Sequence, residues 1–184
     1  SPVKEISRDQ IVETHYFNVD HVAFESSQVG SFERYFIHEN NGETVAILAV
    51  TDDMKIPLIE QYRIANHRWT LELPAGHANT PSERPLDVAI RKLREEAGFE
   101  AKHYAQFSRF LNTPGYSTQH TCLFYATGLT PVSREDIGPE SPRSNVRMVS
   151  LDDAYQMVLN GTICDAKSMI AILRGHMGLR DLDA

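Results

Sequence analysis

The run Leu73-Pro74-Ala75-Gly76-His77-Ala78-Asn79-Thr80-Pro81-Ser82-Glu83, followed by Arg91-Lys92-Leu93-Arg94-Glu95-Glu96-Ala97-Gly98-Phe99, constrains this chain more than any other stretch. It reads as a Gly-closed loop feeding an acidic helix. From Pro85 to Ala97 the apolar residues Leu86, Ala89, Ile90, Leu93 and Ala97 recur at the spacing of one helix face. Gly98 follows where a helix end commonly takes left-handed backbone. With the apolar stripe against a sheet, positions 92, 95 and 96 share the opposite side, because residues three and four apart are helical neighbours.

That pattern has a chemical reading. Magnesium takes hard oxygen ligands in near-octahedral geometry and keeps several waters. Adjacent carboxylates at Glu95 and Glu96, with a backbone carbonyl from the Ala75-Gly76 turn, can supply part of such a shell. An ion held there would polarise a bridging phosphate and activate water for in-line attack. The same charges also have a plainer role: Arg91 with Glu95, and Lys92 with Glu96, are i,i+4 pairs that add about 0.2–0.5 kcal/mol each to a solvated helix.

The segment resembles the Nudix hydrolase box: Gly, five residues, Glu, seven residues, then Arg-Glu-apolar-x-Glu-Glu-x-Gly-apolar. Gly76, Glu83, Arg91, Leu93, Glu95, Glu96, Gly98 and Phe99 match it, eight constrained positions over 24 residues. There are two departures. Six residues separate Gly76 from Glu83, and Lys92 stands where the first Glu of the Arg-Glu pair is commonly a metal ligand.

The resemblance implies an α+β chain, a Nudix-type α/β/α sandwich with a mixed central sheet and an extended N-terminal strand region. It implies Mg2+, with Mn2+ as a substitute, held by Glu95, Glu96 and the backbone oxygen of Ala75. Gly76, Glu83, Arg91 and Gly98 would shape the box, Glu83 and Arg91 bracing loop against helix. Glu95, Glu96 and a mobile acidic residue, Glu140, would carry the catalysis. Glu135 and Asp136 are rivals to Glu140 in the same loop.

Outside the box the resemblance narrows to the ADP-ribose pyrophosphatase-like branch. Gln61-Tyr62-Arg63 before Glu72-Leu73-Pro74-Ala75-Gly76 looks like that branch's lead-in, which makes Arg63 a phosphate contact. Thr113-Pro114-Gly115 lies where those enzymes carry a Ser-Pro-Gly loop, implying substrate contacts from Pro114 and Gly115. An acidic residue that binds the terminal ribose often follows four positions after the loop's Gly. Here Gln119 takes that place, a neutral amide that both donates and accepts.

Lys92 brings a positive charge where a ligand would bring a negative one. Either it contacts the substrate's phosphate as a stand-in for one cation, or one ion is lost and turnover falls. Removing one electrostatic stabiliser of a transition state costs about 10²–10³ in rate.

The leading expectation is therefore divalent-metal-dependent hydrolysis of the pyrophosphate bond in a nucleoside diphosphate linked to another moiety. ADP-ribose going to AMP and ribose 5-phosphate is the favoured case. The alternative is a catalytically impaired Nudix-fold module that binds or senses a nucleotide.

With 184 residues and 41% hydrophobic content the chain can fill one substantial core. A net charge of −7 and a pI near 5.6 argue against a nucleic-acid partner. Arg68 and Arg109 are further candidates for phosphate contact, Arg109 being better read as a surface residue. Cys122 and Cys164 form neither a CxxC nor a framework pattern; Cys122, in an apolar run, reads as a small buried hydrophobe. No apolar stretch approaches the ~20 residues that span a bilayer, and no signal peptide is read. The expected setting is the cytoplasm, without membrane contact.

Residues 1–40 read as an extended, aromatic-rich arm, with strands over His15–Phe24 and Phe32–His38 and a turn at Gly30-Ser31. In hydrolases that resemble this chain, such an arm builds a homodimer interface, and residues 41–184 would be the hydrolase domain. Within it, strands are expected at Thr44–Val50, Ile56–Arg63, Tyr104–Leu111 and Thr121–Thr127. Residues 130–145 read as a loop. Helices are expected at Leu151–Asn160 and Ala166–His176, the second with Asp165 as N-cap and a stripe of Ala166, Met169, Ile170, Leu173 and Met177. Trp69 is a candidate for stacking on a base or for packing. Glu72 either supports the site or ends a strand. His77, inside the box, is given no catalytic role.

Overall fold

The computed structural model describes residues 1–135 and 145–178. The chain begins with three long strands, β1 (Lys4–Glu13), β2 (Phe17–Ser26) and β3 (Gly30–Glu39), followed by β4 (Thr44–Ala49), β5 (Lys55–Arg63), β6 (Arg68–Glu72) and β7 (Ala75–His77). Helix α1 (Pro85–Lys92) runs into a π-helical turn at Leu93–Ala97. Then come β8 (Phe99–Glu100), β9 (His103–Leu111), β10 (His120–Thr127), β11 (Thr130–Pro131), β12 (Asn145–Ser150), α2 (Leu151–Leu159) and α3 (Ala166–His176).

The organising element is β4. Its sequence, Thr-Val-Ala-Ile-Leu-Ala, is apolar and β-branched on both faces, the composition of a strand covered on both sides, and every residue of it is buried. Successive side chains of a strand point to opposite faces. Val45, Ile47 and Ala49 therefore join one core with Val88, Ala89 and Leu93 of the box helix. Ala46, Leu48 and Val50 join another with Leu151, Ala154, Ala171 and Ile172 of α2 and α3. Helices thus cover both faces of the sheet, as the sandwich requires.

That sheet has the order β7-β4-β10-β9 and is mixed: β4 and β10 run parallel, the other pairs antiparallel. A second, antiparallel sheet has the order β12-β5-β6. The Ala75-Gly76 segment, expected as a turn, is a short strand with Ala75 opposite Ala46 and Gly76 opposite Val45.

Residues 4–39 form their own antiparallel sheet, β1-β2-β3, whose first strand is exposed throughout. The sheet is tied to the body at Ile37: its N–H donates to the Tyr116 carbonyl at 2.7 Å, and its carbonyl accepts the Thr118 N–H at 3.0 Å.

The helical patterning is right in extent and rotated in detail. The buried arc of the box helix runs from Val88 through Ala89 to Leu93, leaving Leu86 and Ile90 on its flank at 36% and 41% exposure. The helix widens after Lys92, and the Gly98 N–H donates to the Leu93 carbonyl as well as to that of Arg94. Gly98 closes it at φ 72°, left-handed as expected.

In α3 the buried residues are Ser168, Ala171 and Ile172, while Met177 is 83% exposed. Hydropathy missed Ser168 because its hydroxyl is fully used. It donates to Asp165 Oδ2 and accepts the Leu73 N–H at 2.9 Å, and a satisfied hydroxyl buries at little cost.

Asp165 caps α3 by accepting the Ser168 N–H at 3.1 Å. Ser150 caps α2 in the same way, accepting the Asp153 N–H at 3.0 Å. Ser150→Ala should lower stability by about 1 kcal/mol, the usual cost of a lost N-cap, read as a shift in the urea midpoint at unchanged slope. A shift within error would mean that water replaces the cap.

Candidate functional site

The box segment folds back on itself through one arginine. Arg91, near the end of α1, donates from Nε to Glu83 Oε1 at 2.9 Å, and from Nη2 to Glu83 Oε2 at 3.0 Å and the His77 carbonyl at 3.1 Å. Glu83 Oε2 also accepts the Asn79 N–H at 2.6 Å. Loop and helix are therefore joined by a bidentate, charge-assisted pair, and Arg91 holds the Glu83 carboxyl below its ordinary range.

One turn on, the carboxylates of Glu95 and Glu96 lie against the end of the mixed sheet. Glu96 Oε2 accepts the Ala75 N–H at 3.0 Å. Burial pushes its carboxyl up, against the pull of that hydrogen bond and of Lys92, Arg63 and Lys167. Lys92 Nζ lies 3.0 Å from Glu95 Oε2 and 3.8 Å from Glu96 Oε1. Its stem crosses Gly76 so closely that a Cβ there would sit 2.3 Å from Lys92 Cε.

Beside this corner opens a cavity of about 220 Å3 whose lining includes Arg63, Ala75, Gly76, His77, Gln119 and Lys167. A wider hollow of about 640 Å3 shares Arg63, Asp165 and Ala166 with it and extends past Arg68 and Cys164. Arg63, Ala75, Gly76 and Gln119, singled out from sequence, are thus brought together around one cavity. Glu96, through the Ala75 N–H, and Lys92, across Gly76, adjoin its lining, and Glu95 is paired with Lys92.

Pro114 and Gly115 do not line the cavity. They form an exposed turn, closed by Tyr116 and Ser117 N–H bonds to the Thr113 carbonyl, whose end is fastened to Ile37 of β3. Trp69 is half exposed and meets Tyr62 edge-on at 5.7 Å. Glu140 and its rival Asp136 lie outside the described residues. Glu135 is described, on the surface 3.6 Å from Arg94.

Arg109, read as a surface residue, pairs with Glu43. Cys122 is buried as expected but also donates from Sγ to Glu43 Oε2 at 2.6 Å. Burial and that carboxylate push its thiol up to about 12, far from a reactive thiolate.

The guanidinium of Arg63 is set by a carboxylate that sequence had left ambiguous. Glu72, 2% exposed, accepts from Arg63 Nε at 2.7 Å and also from Arg63 Nη2, Thr70 Oγ1 and Lys167 Nζ. Burial alone would raise its pKa, but Arg63 and Lys167 reverse that and hold it at about 2. Lys167 was missed. A cation in the first turn of α3 opposes the helix dipole, and that misfit is the one sequence sign that it answers a buried acid.

Glu39, at the end of β3, was missed as well. Its carboxylate lies 3.7 Å from His77 Nδ1 and bonds Gln119, whose Nε2 also donates to Thr44 Oγ1 at 3.0 Å. Burial, assisted by Glu43, raises the Glu39 pKa to about 7 despite Gln119. His77 is pushed the other way by burial and by Lys92, Lys167 and Arg63, and so is neutral at pH 7.

A folded pKa above the unfolded one favours the fold below about 4.5 and loses that contribution as pH rises through about 7. Glu39→Gln should accordingly be more stable than the parent at pH 8, by about 1 kcal/mol or more, with no gain at pH 4. Equal denaturation midpoints at pH 8 would contradict this.

The donor set can be tested against a divalent ion. Glu95 Oε2 faces Lys92 and, at 3.4 Å, Arg91, and Glu96 Oε2 is bonded to the Ala75 N–H. The other oxygen of each carboxylate faces, among the described residues, no partner as close as these. Among the described residues no group of three or more His, Cys, Asp or Glu is placed to hold a metal. The arrangement of the described residues fits one oxygen-liganded ion completed by water or substrate, and does not fit a multi-ion cluster.

The NUDIX domain family model matches residues 40–170. The ADP-ribose pyrophosphatase of Bacillus subtilis is 34% identical over 128 residues, 70% of this chain and 69% of that protein. That of Mycobacterium tuberculosis is 33% identical over 132 residues, 72% of this chain and 64% of that protein. A crystal structure of an ADP compounds hydrolase superposes with a TM-score of 0.84 at 21% identity, covering 96% of this chain and 94% of that one, which establishes likeness of fold. The chain belongs to the Nudix family. It is a Nudix hydrolase of the ADP-ribose pyrophosphatase-like kind. Among the described residues no helix is long and apolar enough to cross a membrane.

Proposed function

We propose that this hydrolase cleaves the pyrophosphate bond of ADP-ribose, adding water to give AMP and ribose 5-phosphate, with Mg2+ or Mn2+ as cofactor. The observation that carries the reading is the meeting of Glu95, Glu96 and Lys92 with Arg63 and Gln119 around Ala75-Gly76. A divalent ion bound by Glu95, Glu96 and the Ala75 carbonyl supplies Lewis-acid polarisation of the phosphate and a more acidic water.

The chain's own groups do the rest. Arg63, held flat by Glu72, presents its remaining donors to a phosphate oxygen; Lys92 presents its ammonium to the other phosphoryl group. Gln119 and Glu39 offer an amide and a carboxyl to ribose hydroxyls. Glu140 is the acidic residue proposed to take the proton from the attacking water. The names of both relatives above support the choice of ADP-ribose. The β1-β2-β3 sheet, with Ile6, Ile11 and Val12 exposed along its first strand, supports residues 1–40 as a homodimer interface.

The test is incubation with ADP-ribose, an ADP-sugar, GDP-mannose and NADH at millimolar Mg2+ or Mn2+, with nucleoside monophosphate as the readout. AMP from ADP-ribose is expected; no monophosphate from any of the four would overturn the reading. One observation favours a second reading, a nucleotide-binding module with little turnover: Lys92 pairs with the same carboxylates that would hold the ion. Calorimetry would then show ADP-ribose binding without metal and without hydrolysis.

A further inference from the structure

Lys92 is seated as if the box had been built around it. Its ammonium lies between two carboxylates, 3.0 Å from Glu95 Oε2 and 3.8 Å from Glu96 Oε1, and its side chain is only 22% exposed. The stem reaches that place across Gly76, where any Cβ would lie 2.3 Å from Lys92 Cε and 2.7 Å from Cδ. A residue without a side chain is therefore what lets the lysine through. Arg91 adds a second cation on Glu95 at 3.4 Å, and Glu96 Oε2 is spent on the Ala75 N–H.

Among the described residues, the contacts of Glu95 and Glu96 leave one oxygen of each carboxylate for a divalent ion. A first ion would already leave Glu95, Glu96 and Lys92 with excess positive charge. A second would sit against an ammonium, and among the described residues no third acidic group is placed to answer it.

We propose that Lys92 is a tethered cation of the site: its ammonium permanently fills one cation position between Glu95 and Glu96, so that the box admits a single divalent ion. The ammonium then supplies the diphosphate with positive charge that a further ion would otherwise bring. Only this last step rests on the pyrophosphatase reading; the count of ions does not.

The experiment is titration of the full chain with Mn2+ alone, free ion being followed by its paramagnetic resonance signal. Parent, Lys92→Glu, Lys92→Met and Glu96→Gln chains are compared, each first shown to be folded by circular dichroism. Lys92→Glu should bind one more Mn2+ per chain than the parent. Lys92→Met should keep the parent's count but bind at least tenfold more tightly, because a charge has gone and no ligand has been added. Glu96→Gln should lose the ion, which locates it in the box.

A parent chain that binds two or more ions removed by Glu96→Gln would overturn the proposal. So would a folded Lys92→Glu chain with the parent's count. If Lys92→Glu does not fold, parent-like affinity in Lys92→Met overturns it instead. No nucleotide is present, so a chain inactive on every substrate can still meet these expectations, and an active one can fail them.

Discussion

Glu96→Gln lowers turnover of ADP-ribose by about 10²–10³, the range seen when one electrostatic element of a transition-state site is removed, while the fold stays intact. The argument turns on which oxygen does what. Oε2 of Glu96 accepts the Ala75 N–H at 3.0 Å, and a glutamine carbonyl can keep that bond. The remaining position becomes an NH2 group, which ligates no cation and now faces the Lys92 ammonium. The binding corner loses one negative charge with nearly unchanged shape. Steady-state kinetics at saturating Mg2+, beside a thermal melt, check this. Activity within tenfold of the parent would show that Glu96 is not part of the reacting site. A collapse of the melt would show that it holds the structure rather than the reaction.

Glu72→Ala is the substitution expected to damage stability most. It removes the acceptor shared by Arg63, Thr70 and Lys167, taking the carboxylate from Arg63 and leaving Lys167, among the described residues, with Asp165 alone. Breaking a fully buried pair from one side costs about 3–5 kcal/mol. With the Arg63 side chain 40% exposed and Lys167 still paired with Asp165, the cost here falls below that, at about 2–3 kcal/mol. Glu72→Gln keeps the volume and part of the hydrogen bonding, and should cost less.

The pH dependence follows from a folded pKa of about 2 against 4.5 for the free side chain. A carboxyl depressed on folding stabilises the native state above its unfolded pKa, and that contribution disappears as pH falls from about 4.5 towards 2. The shift corresponds to something on the order of 3 kcal/mol. Denaturant midpoints between pH 6 and pH 2.5 should fall more steeply for the parent than for Glu72→Gln. Parallel curves would mean that Glu72 is not the charged partner of Arg63.

The sequence was most legible where local rules suffice. The acid cap at Asp165, the left-handed close at Gly98 and the doubly buried Thr44–Val50 run each depend on a few neighbouring residues. The family was legible from the resemblance of Gly76–Phe99 to the Nudix box.

What escaped was decided by partners distant in sequence. Lys167 meets Glu72 across 95 positions, so nothing near either residue announces the pair. Ser168, absent from the expected stripe, is buried because the Leu73 N–H, also 95 positions away, uses its hydroxyl. Glu39 belongs to the arm by sequence yet bonds Gln119 at the rim of the cavity. The stripe on the box helix was displaced because Val88, rather than Leu86 or Ile90, packs with Val45 and Ile47 of β4, a choice made by tertiary contact and not by the period.

The wide turn at Leu93–Ala97 makes the two halves of the box unequal in what they tolerate. The segment Asn79–Ser82 is exposed, and an inserted or deleted residue there needs only a new path for the loop. Deleting a residue within Leu93–Ala97 would restore ordinary i→i+4 pairing and swing Glu95 and Glu96 around the helix axis, away from Gly76. Val88 and Ala89 would remain packed as before. Length polymorphism within Asn79–Ser82 is therefore mechanically silent, whereas a single-residue deletion ahead of Glu95 in the wide turn is a rotation of the reactive face.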